Sequence, residues 1–72
     1  MKNYEMKFEK IEAGKYQLIE RWYDEDYKTT LENVLSHVWR EGHKWYATFF
    51  GNVERCKTLK SVIANLRKTY PF

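Results

Sequence analysis

The sequence predicts a small α+β domain in which an antiparallel sheet packs against one or two helices. Apolar and charged residues alternate over 4–9, residues 44–50 are apolar on two faces, and residues 59–66 have apolar side chains at helical spacing. At 72 residues and 8.9 kDa the chain forms a single domain, residues 1–72, with a small core. The predicted order is β-β-α-β-α, or β-β-β-β-α if the middle segment is a strand.

The first third of the chain has the pattern of a β-hairpin. The alternation over residues 4–9 is typical of a strand with one buried face. A break at residues 12–15 contains Gly14, the residue type best able to adopt a positive φ. Residues 16–23 (YQLIERWY) form a second β-rich run. The acidic residues 24–26 suit a turn or the approach to a helix N-terminus.

The middle segment, residues 30–41, fits two structures, of which the helix is favoured. From Leu31 onward its apolar residues lie at i, i+3, i+4 and i+7, as in an amphipathic helix. Thr29 is followed by a glutamate at the capping-box spacing, and Gly42 stands where such a helix would end. The valines and the tryptophan favour a strand, but one face of that strand would mix valines with Ser36.

The C-terminal half contains the most distinct strand and helix. KWYATFF at residues 44–50 has apolar groups on both faces, so we expect a central strand that is covered on each side, or covered on one side and recruiting a partner on the other. Residues 52–56 are a loop or a short edge strand. Residues 59–70 form an amphipathic helix, with Thr58 as its N-cap and Pro71 as its stop.

The two signs of charge are unevenly distributed along the chain. Residues 1–36 carry six basic and eight acidic side chains, whereas residues 37–72 carry seven basic and two acidic ones. The net charge of +3 therefore combines −2 in the first half with +5 in the second. Such a chain attracts phosphates or an acidic protein surface to its C-terminal half, unless the fold brings the halves together and cancels the field.

The composition excludes several classes of protein. A chain that is 43% hydrophobic, with three Gly and one Pro, is not a disordered tail, a collagen-like chain or a low-complexity linker. The single cysteine, Cys56, cannot form an internal disulfide, so a reducing, cytoplasmic location is expected. No apolar run approaches the ~18 residues that span a bilayer, and the charged start is unlike a signal peptide, so we expect no membrane association.

No group of residues in the sequence supports catalysis or the binding of a metal or cofactor. His37, His43 and Cys56 are the candidate metal ligands, but a closed zinc site needs four. Cys56 beside a helix start is typical of a small packing residue, and the glycines do not form a phosphate-binding loop. We therefore expect the protein not to be an enzyme and to use no cofactor, metal or small-molecule substrate.

Aromatic residues make up 18% of the chain, more than a core of this size is expected to enclose. Exposed Trp and Tyr side chains dominate the energetics of protein interfaces. The first hypothesis is a non-enzymatic protein-binding module or inhibitor that occludes the surface of a protein partner, or that binds itself as a homodimer. Chains of this length and composition resemble the proteins that phages and mobile elements use to block or redirect a host enzyme. The interface candidates are Trp22, Tyr23, Trp39, Tyr46 and Phe50.

The alternative hypothesis is direct binding of nucleic acid by the basic C-terminal half. The segment from Val38 to Leu66 contains a Trp-Arg turn, a Lys-Trp strand and a Lys-rich helix, and it resembles sheet-type DNA-binding domains of integrases over less than half of the chain. That resemblance implies a sheet that lies in the major groove and supplies phosphate and base contacts. The candidate contacts are Arg40, Lys44, Arg55, Lys57, Lys60, Arg67 and Lys68.

Overall fold

The computed structural model describes residues 4–72, which form an antiparallel sheet and one helix, as the predicted α+β fold class requires. The strands are β1 (Tyr4–Glu12), β2 (Lys15–Asp24), β3 (Thr29–Glu41), β4 (Lys44–Phe49) and β5 (Asn52–Cys56), and the helix is α1 (Leu59–Thr69). Each strand pairs with the next, so the sheet order follows the chain order. The described part of the chain contains no helix long and apolar enough to cross a membrane. Lys2, which entered the charge count, lies outside the described residues.

The N-terminal hairpin has the predicted strands and turn. β1 and β2 pair along their length, apart from an irregularity just before the turn. Gly14 in that turn has a φ of 75°, a conformation that its missing side chain permits. After β2 the acidic residues form a turn and not the start of a helix. The Asp24 carboxylate accepts hydrogen bonds from the backbone N–H groups of Asp26 and Tyr27, at 2.9 and 3.1 Å.

Residues 30–41 form a strand, so the helix favoured for this segment is wrong. They belong to β3, a strand of 13 residues that pairs with both β2 and β4. A bulge leaves Leu35 without a partner in β2, and this extra residue allows Leu35 and Val38 to reach the same core although they are three residues apart. Ser36, which counted against a strand, is buried and donates its hydroxyl hydrogen to the Thr48 carbonyl oxygen at 2.8 Å.

The C-terminal half has the predicted strand and helix. β4 lies between β3 and β5, and residues 52–56 take the edge-strand alternative. Gly42 ends β3 in a hairpin turn with a φ of 63°, where it would have ended the predicted helix. The Thr58 hydroxyl caps α1 by accepting the N–H of Ser61 at 3.1 Å, and Pro71 lies just beyond the helix.

The core lies between α1 and one face of the sheet. Partly buried aromatic rings extend it toward β1, where the Phe8 ring stacks on Tyr16 at 5.2 Å and on Phe72 at 6.0 Å between ring centroids. The core thus combines residues from the beginning, middle and end of the chain. Its buried members are Leu18, Val38, Ala47, Phe49, Val62 and Leu66.

The helix covers only one end of this sheet. The molecule is elongated, with extents of 44 × 24 × 20 Å, and α1 packs mainly against β4 and β5. We call residues 8–18 and 35–72 the helical end, because they contain every residue of the core just described. Residues 4–7 and 19–34, which include the start of β1, most of β2 and the first half of β3, are called the arm. In the described part of the chain, α1 has its core contacts in the helical end and none in the arm.

Candidate functional site

No helix or strand within residues 4–72 packs over the sheet face opposite α1, and we call it the open face. Side chains alternate between faces along each strand, so the strand registers place one cross-strand row here. Lys15 of β2 pairs with Trp39 of β3, Trp39 pairs with Tyr46 of β4, and Tyr46 pairs with Arg55 of β5. The row therefore presents two adjacent aromatic rings with one basic side chain on either side. Neighbouring members of the open face are Ile11, Gln17, His37, Thr48 and Val53.

Trp39 and Tyr46 form a stacked pair at the centre of this row. Their ring centroids are 5.7 Å apart and their planes differ by 16°. The Trp39 indole Nε1–H donates a hydrogen bond to the Glu41 carboxylate at 2.9 Å, which fixes the orientation of the ring. Both rings are half-buried, so each is supported by the sheet and still presents apolar area to solvent. The pair is thus a pre-oriented apolar contact surface.

A groove lies next to the aromatic pair, between the β1–β2 turn and β3. Its volume is about 360 Å³, at the lower end of the range for small-molecule pockets, and it opens to solvent. Ile11 and Trp39 both line this groove, and Ile11 is 54% exposed. A groove of this size on a flat sheet suits a side chain of a docked protein. Its lining residues are Ile11, Lys15, Tyr16, Gln17, His37, Val38 and Trp39.

The part of the open face that surrounds Arg21 of the arm is dominated by carboxylates. Arg21 Nη2 lies 2.6 Å from Glu32 Oε2 and 3.9 Å from Glu9 Oε1, and Arg21 Nη1 lies 3.2 Å from Glu5 Oε1. The hydrogen bond that Arg21 donates to Glu32, the negative charge of Glu32 and those of the other two glutamates raise the pKa of Arg21, which stays protonated. Lys7 lies on the same face between Glu5 and Glu9, so three carboxylates against two basic side chains give this part of the face a net charge of −1.

The fold keeps the two signs of charge apart. The arm contains six acidic and three basic side chains, a net charge of −3. The described residues of the helical end contain nine basic and four acidic side chains, a net charge of +5. Because these regions follow each other along the 44 Å axis, the molecule is electrically polarised and the field is not cancelled.

The five protein-interface candidates do not share one surface. Trp39 and Tyr46 are neighbours on the open face. Tyr23 lies on the same face but at the far end of the arm, and Trp22 lies on the opposite face. Phe50 occupies the β4–β5 turn, is 79% exposed, and has its ring 6.2 Å from the tyrosine that caps α1. The structure therefore brings together two of the five.

The seven basic candidates divide between the two faces. Lys44 and Arg55 lie on the open face, whereas Arg40 lies on the other face with its guanidinium 5.8 Å from the Trp45 ring centroid. Within residues 4–72, no carboxylate lies within 4.0 Å of any of these seven basic side chains. The remaining four lie before α1 and on its solvent side: Lys57, Lys60, Arg67 and Lys68.

The candidate metal ligands do not come together. His37 lines the groove on the open face, His43 lies in the β3–β4 turn, and Cys56 ends β5. The Cys56 sulfur accepts a hydrogen bond from the Asn65 side chain at 3.4 Å and packs against the core. Across residues 4–72 there is no group of three or more metal-binding side chains.

Sequence reasoning missed the groove and the placement of Lys15 and Arg55 beside the aromatic pair. The one feature of the sequence that could have indicated the groove was Ile11 next to a turn, since a bulky apolar residue there either packs against a partner or remains exposed. Because Trp39 was assigned to a helix, its cross-strand pairing with Tyr46 could not be predicted.

Comparison with known proteins identifies no relative. No protein-family model, no curated protein and no solved structure matches the chain. What the protein does is therefore inferred from its own residues and their geometry.

Proposed function

We propose that the protein is a non-enzymatic binding module that covers the surface of a protein partner with its open face. The observation that carries this proposal is the stacked pair of Trp39 and Tyr46 on a sheet face that α1 leaves uncovered. Such a protein acts by occlusion, as do the small proteins with which phages and mobile elements block or redirect a host enzyme.

The surroundings of the pair have the anatomy of a protein interface. Apolar side chains continue on both sides, since Ile11 is 54% and Val53 is 57% exposed. Lys15 and Arg55 lie at the edge of this apolar area, which matches the usual arrangement of an apolar centre and a polar rim. Because the rings are held by strand pairing, little side-chain entropy is lost when a partner binds.

The proposal is tested by capturing proteins from an extract of the source cells on immobilised wild-type protein and on a Trp39→Ala/Tyr46→Ala variant. Removing a central aromatic side chain typically costs about 2 kcal/mol of binding, so the retained proteins should be lost from the variant. Tyr27→Ala is the matched control, because Tyr27 is an aromatic residue that is 77% exposed at the tip of the arm.

The contradicting result is equal retention by the wild type and the aromatic variant, or loss with Tyr27→Ala alone. A thermal unfolding curve of each protein shows whether a variant that no longer captures partners is still folded. Arg55→Glu supplies a second variant that leaves both rings in place, and it should also weaken capture because Arg55 lies beside Tyr46.

Nucleic-acid binding is a second candidate function, and one observation favours it. Lys57, Lys60, Arg67 and Lys68 are exposed around α1 and have no carboxylate within 4.0 Å in the described chain. Free basic side chains at the positive end of a polarised molecule attract phosphates. On this reading α1 and its N-terminal loop form the contact surface, and the acidic arm points away.

This second function is tested by titrating random-sequence duplex and single-stranded DNA with the protein at two salt concentrations. Replacing Lys60, Arg67 and Lys68 by Gln should weaken binding and reduce the salt slope by about one for each phosphate that is no longer neutralised. Lys28→Gln in the arm is the control and should have no effect. Absence of binding by the wild type at low salt would exclude this function.

A further inference from the structure

The open face carries opposite charges at its two ends. Toward the arm, Glu5, Glu9 and Glu32 surround Arg21, which leaves a negative end. In the helical end, the row that contains Trp39 has Arg55 on one side of its aromatic pair and Lys15 on the other, with Lys15 Nζ 3.1 Å from Glu12 Oε1. The two ends lie ~20 Å apart along β3, at about 3.3 Å per residue.

Val34 is the exposed apolar side chain in the middle of the open face. Ile19 and Val34 are cross-strand partners there, and Ile19 is 1% exposed while Val34 is 40% exposed. Lys7 of the edge strand β1 flanks this pair. On the helical side of the pair follow His37 and Thr48, whose hydroxyl oxygen accepts the backbone N–H of His37 at 2.9 Å. A partner that fits must therefore offer an apolar middle, a basic surface for one end and an acidic surface for the other.

We infer that this partner is a second copy of the chain, packed on the open face in antiparallel orientation; the inference rests on the proposed function of that face in protein binding. The two-fold axis of this dimer lies midway between the two facing sheets and runs perpendicular to the strands. It therefore reverses the strand direction of one copy relative to the other. The acidic end of each copy then meets the basic end of the other, and the apolar middles meet each other. Such an isologous contact closes the assembly as a dimer, with both α1 helices outside.

The open face is large enough for a stable dimer. A standard protein interface buries about 800 Å² of each partner, which is about 15% of the 5477 Å² surface of this chain. One broad face of a body measuring 44 × 24 × 20 Å is about a fifth of its surface. Two stacked sheets can therefore bury the required area without any movement of α1.

The test uses two charge-reversed variants of the full chain. One replaces Lys15 and Arg55 by Glu at the basic end, and the other replaces Glu5 and Glu9 by Lys at the acidic end. Glu32 is kept because its carboxylate makes the shortest contact with Arg21, at 2.6 Å. In an antiparallel dimer each variant alone places like charges against each other, whereas an equimolar mixture restores opposite charges at both ends of the face.

Sedimentation equilibrium over a wide range of protein concentration measures the outcome. We expect the wild type to dimerise. Each variant alone should have a dimer dissociation constant at least about tenfold higher, and the mixture should recover the wild-type affinity. High salt should weaken the wild-type dimer and reduce the difference between the variants. The Trp39→Ala/Tyr46→Ala variant should also be shifted toward monomer.

Two results would overturn the inference, and neither of them by itself decides whether the open face binds a different protein. A wild type that stays monomeric at every concentration excludes the second copy, and the capture experiment then decides whether the open face binds a different protein. Variants that dimerise as the wild type does, or a mixture that stays monomeric while the wild type dimerises, exclude the antiparallel arrangement. Thermal unfolding of each variant shows whether a failure to dimerise comes from a failure to fold.

Discussion

The arm and the helical end share three strands, yet different forces hold them. β1, β2 and β3 run through both regions, but the core cluster lies wholly in the helical end, under α1. In the arm Ile19 is the one buried side chain, and the strands depend mainly on backbone pairing and on polar side chains. In a chain of this size one helix stabilises only the part of the sheet that it covers.

The arm has a polar network on each of its faces. On one face Glu20 accepts hydrogen bonds from the Tyr4 hydroxyl at 2.6 Å and from the Asn33 amide at 3.2 Å. On the other, Arg21 joins its three glutamates. Exposed interactions of this kind contribute little each, so the arm should open more readily than the helical end.

The largest expected difference between the regions comes from truncating a leucine in each. Leu66 is fully buried under the sheet, so Leu66→Ala should lower the free energy of unfolding by about 3 kcal/mol. Leu31 is half-buried in the arm, and Leu31→Ala should have a clearly smaller effect. Urea denaturation followed by circular dichroism measures both. Equal losses would contradict the division into two regions.

A smaller effect is expected at Ser36, near the junction of the regions. Ser36→Ala removes the hydroxyl that donates to the Thr48 carbonyl oxygen in a buried setting, so the free energy of unfolding should fall by about 1 kcal/mol. Thr30→Ala, at an exposed position of the same strand, is the control and should change it little. An unchanged midpoint of urea denaturation for Ser36→Ala would show that this hydrogen bond does not hold β3 to β4.

Arg21→Gln should loosen the arm without affecting the helical end. The variant leaves Glu5, Glu9 and Glu32 facing one another without their cation. Backbone amides of β2 and β3 in the arm should then exchange hydrogen faster, whereas those of α1 keep the wild-type rate. Added salt should speed exchange in the arm of the wild type, where it screens an attraction, and slow it in the variant, where it screens the repulsion between carboxylates. Uniformly faster exchange would mean that the two regions open together.

The smallest effect is a pH dependence at the start of the arm. The hydrogen bond from the Tyr4 hydroxyl to Glu20 raises the pKa of Tyr4 above its ordinary value of 10.0. The stabilisation from this hydrogen bond is therefore complete below pH 10.0 and disappears as the pH rises through the higher pKa of the folded state. Ultraviolet titration of the wild type against Tyr4→Phe measures this pKa. Glu20→Gln should lower it, and no change would contradict the assigned cause.

Local patterns in the sequence were enough to predict most elements, but not the site. Alternation predicted the first hairpin, and apolar spacing with Thr58 and Pro71 predicted α1. A helix was favoured over the strand alternative for β3 because the bulge at Leu35 produces a helix-like spacing within a strand, and a bulge depends on the neighbouring strand. Trp39 and Tyr46 were both named as interface candidates, yet their adjacency follows only from the register of β3 with β4.

The most direct test of the open face as a binding surface is side-chain footprinting of the protein, alone at low concentration and bound to its partner, by oxidative labelling. Trp39 and Tyr46 should be protected on binding, while Tyr27 at the tip of the arm and Phe50 in the β4–β5 turn stay as reactive as before. Protection confined to the outer side of α1, or none at the two stacked rings, would contradict the account.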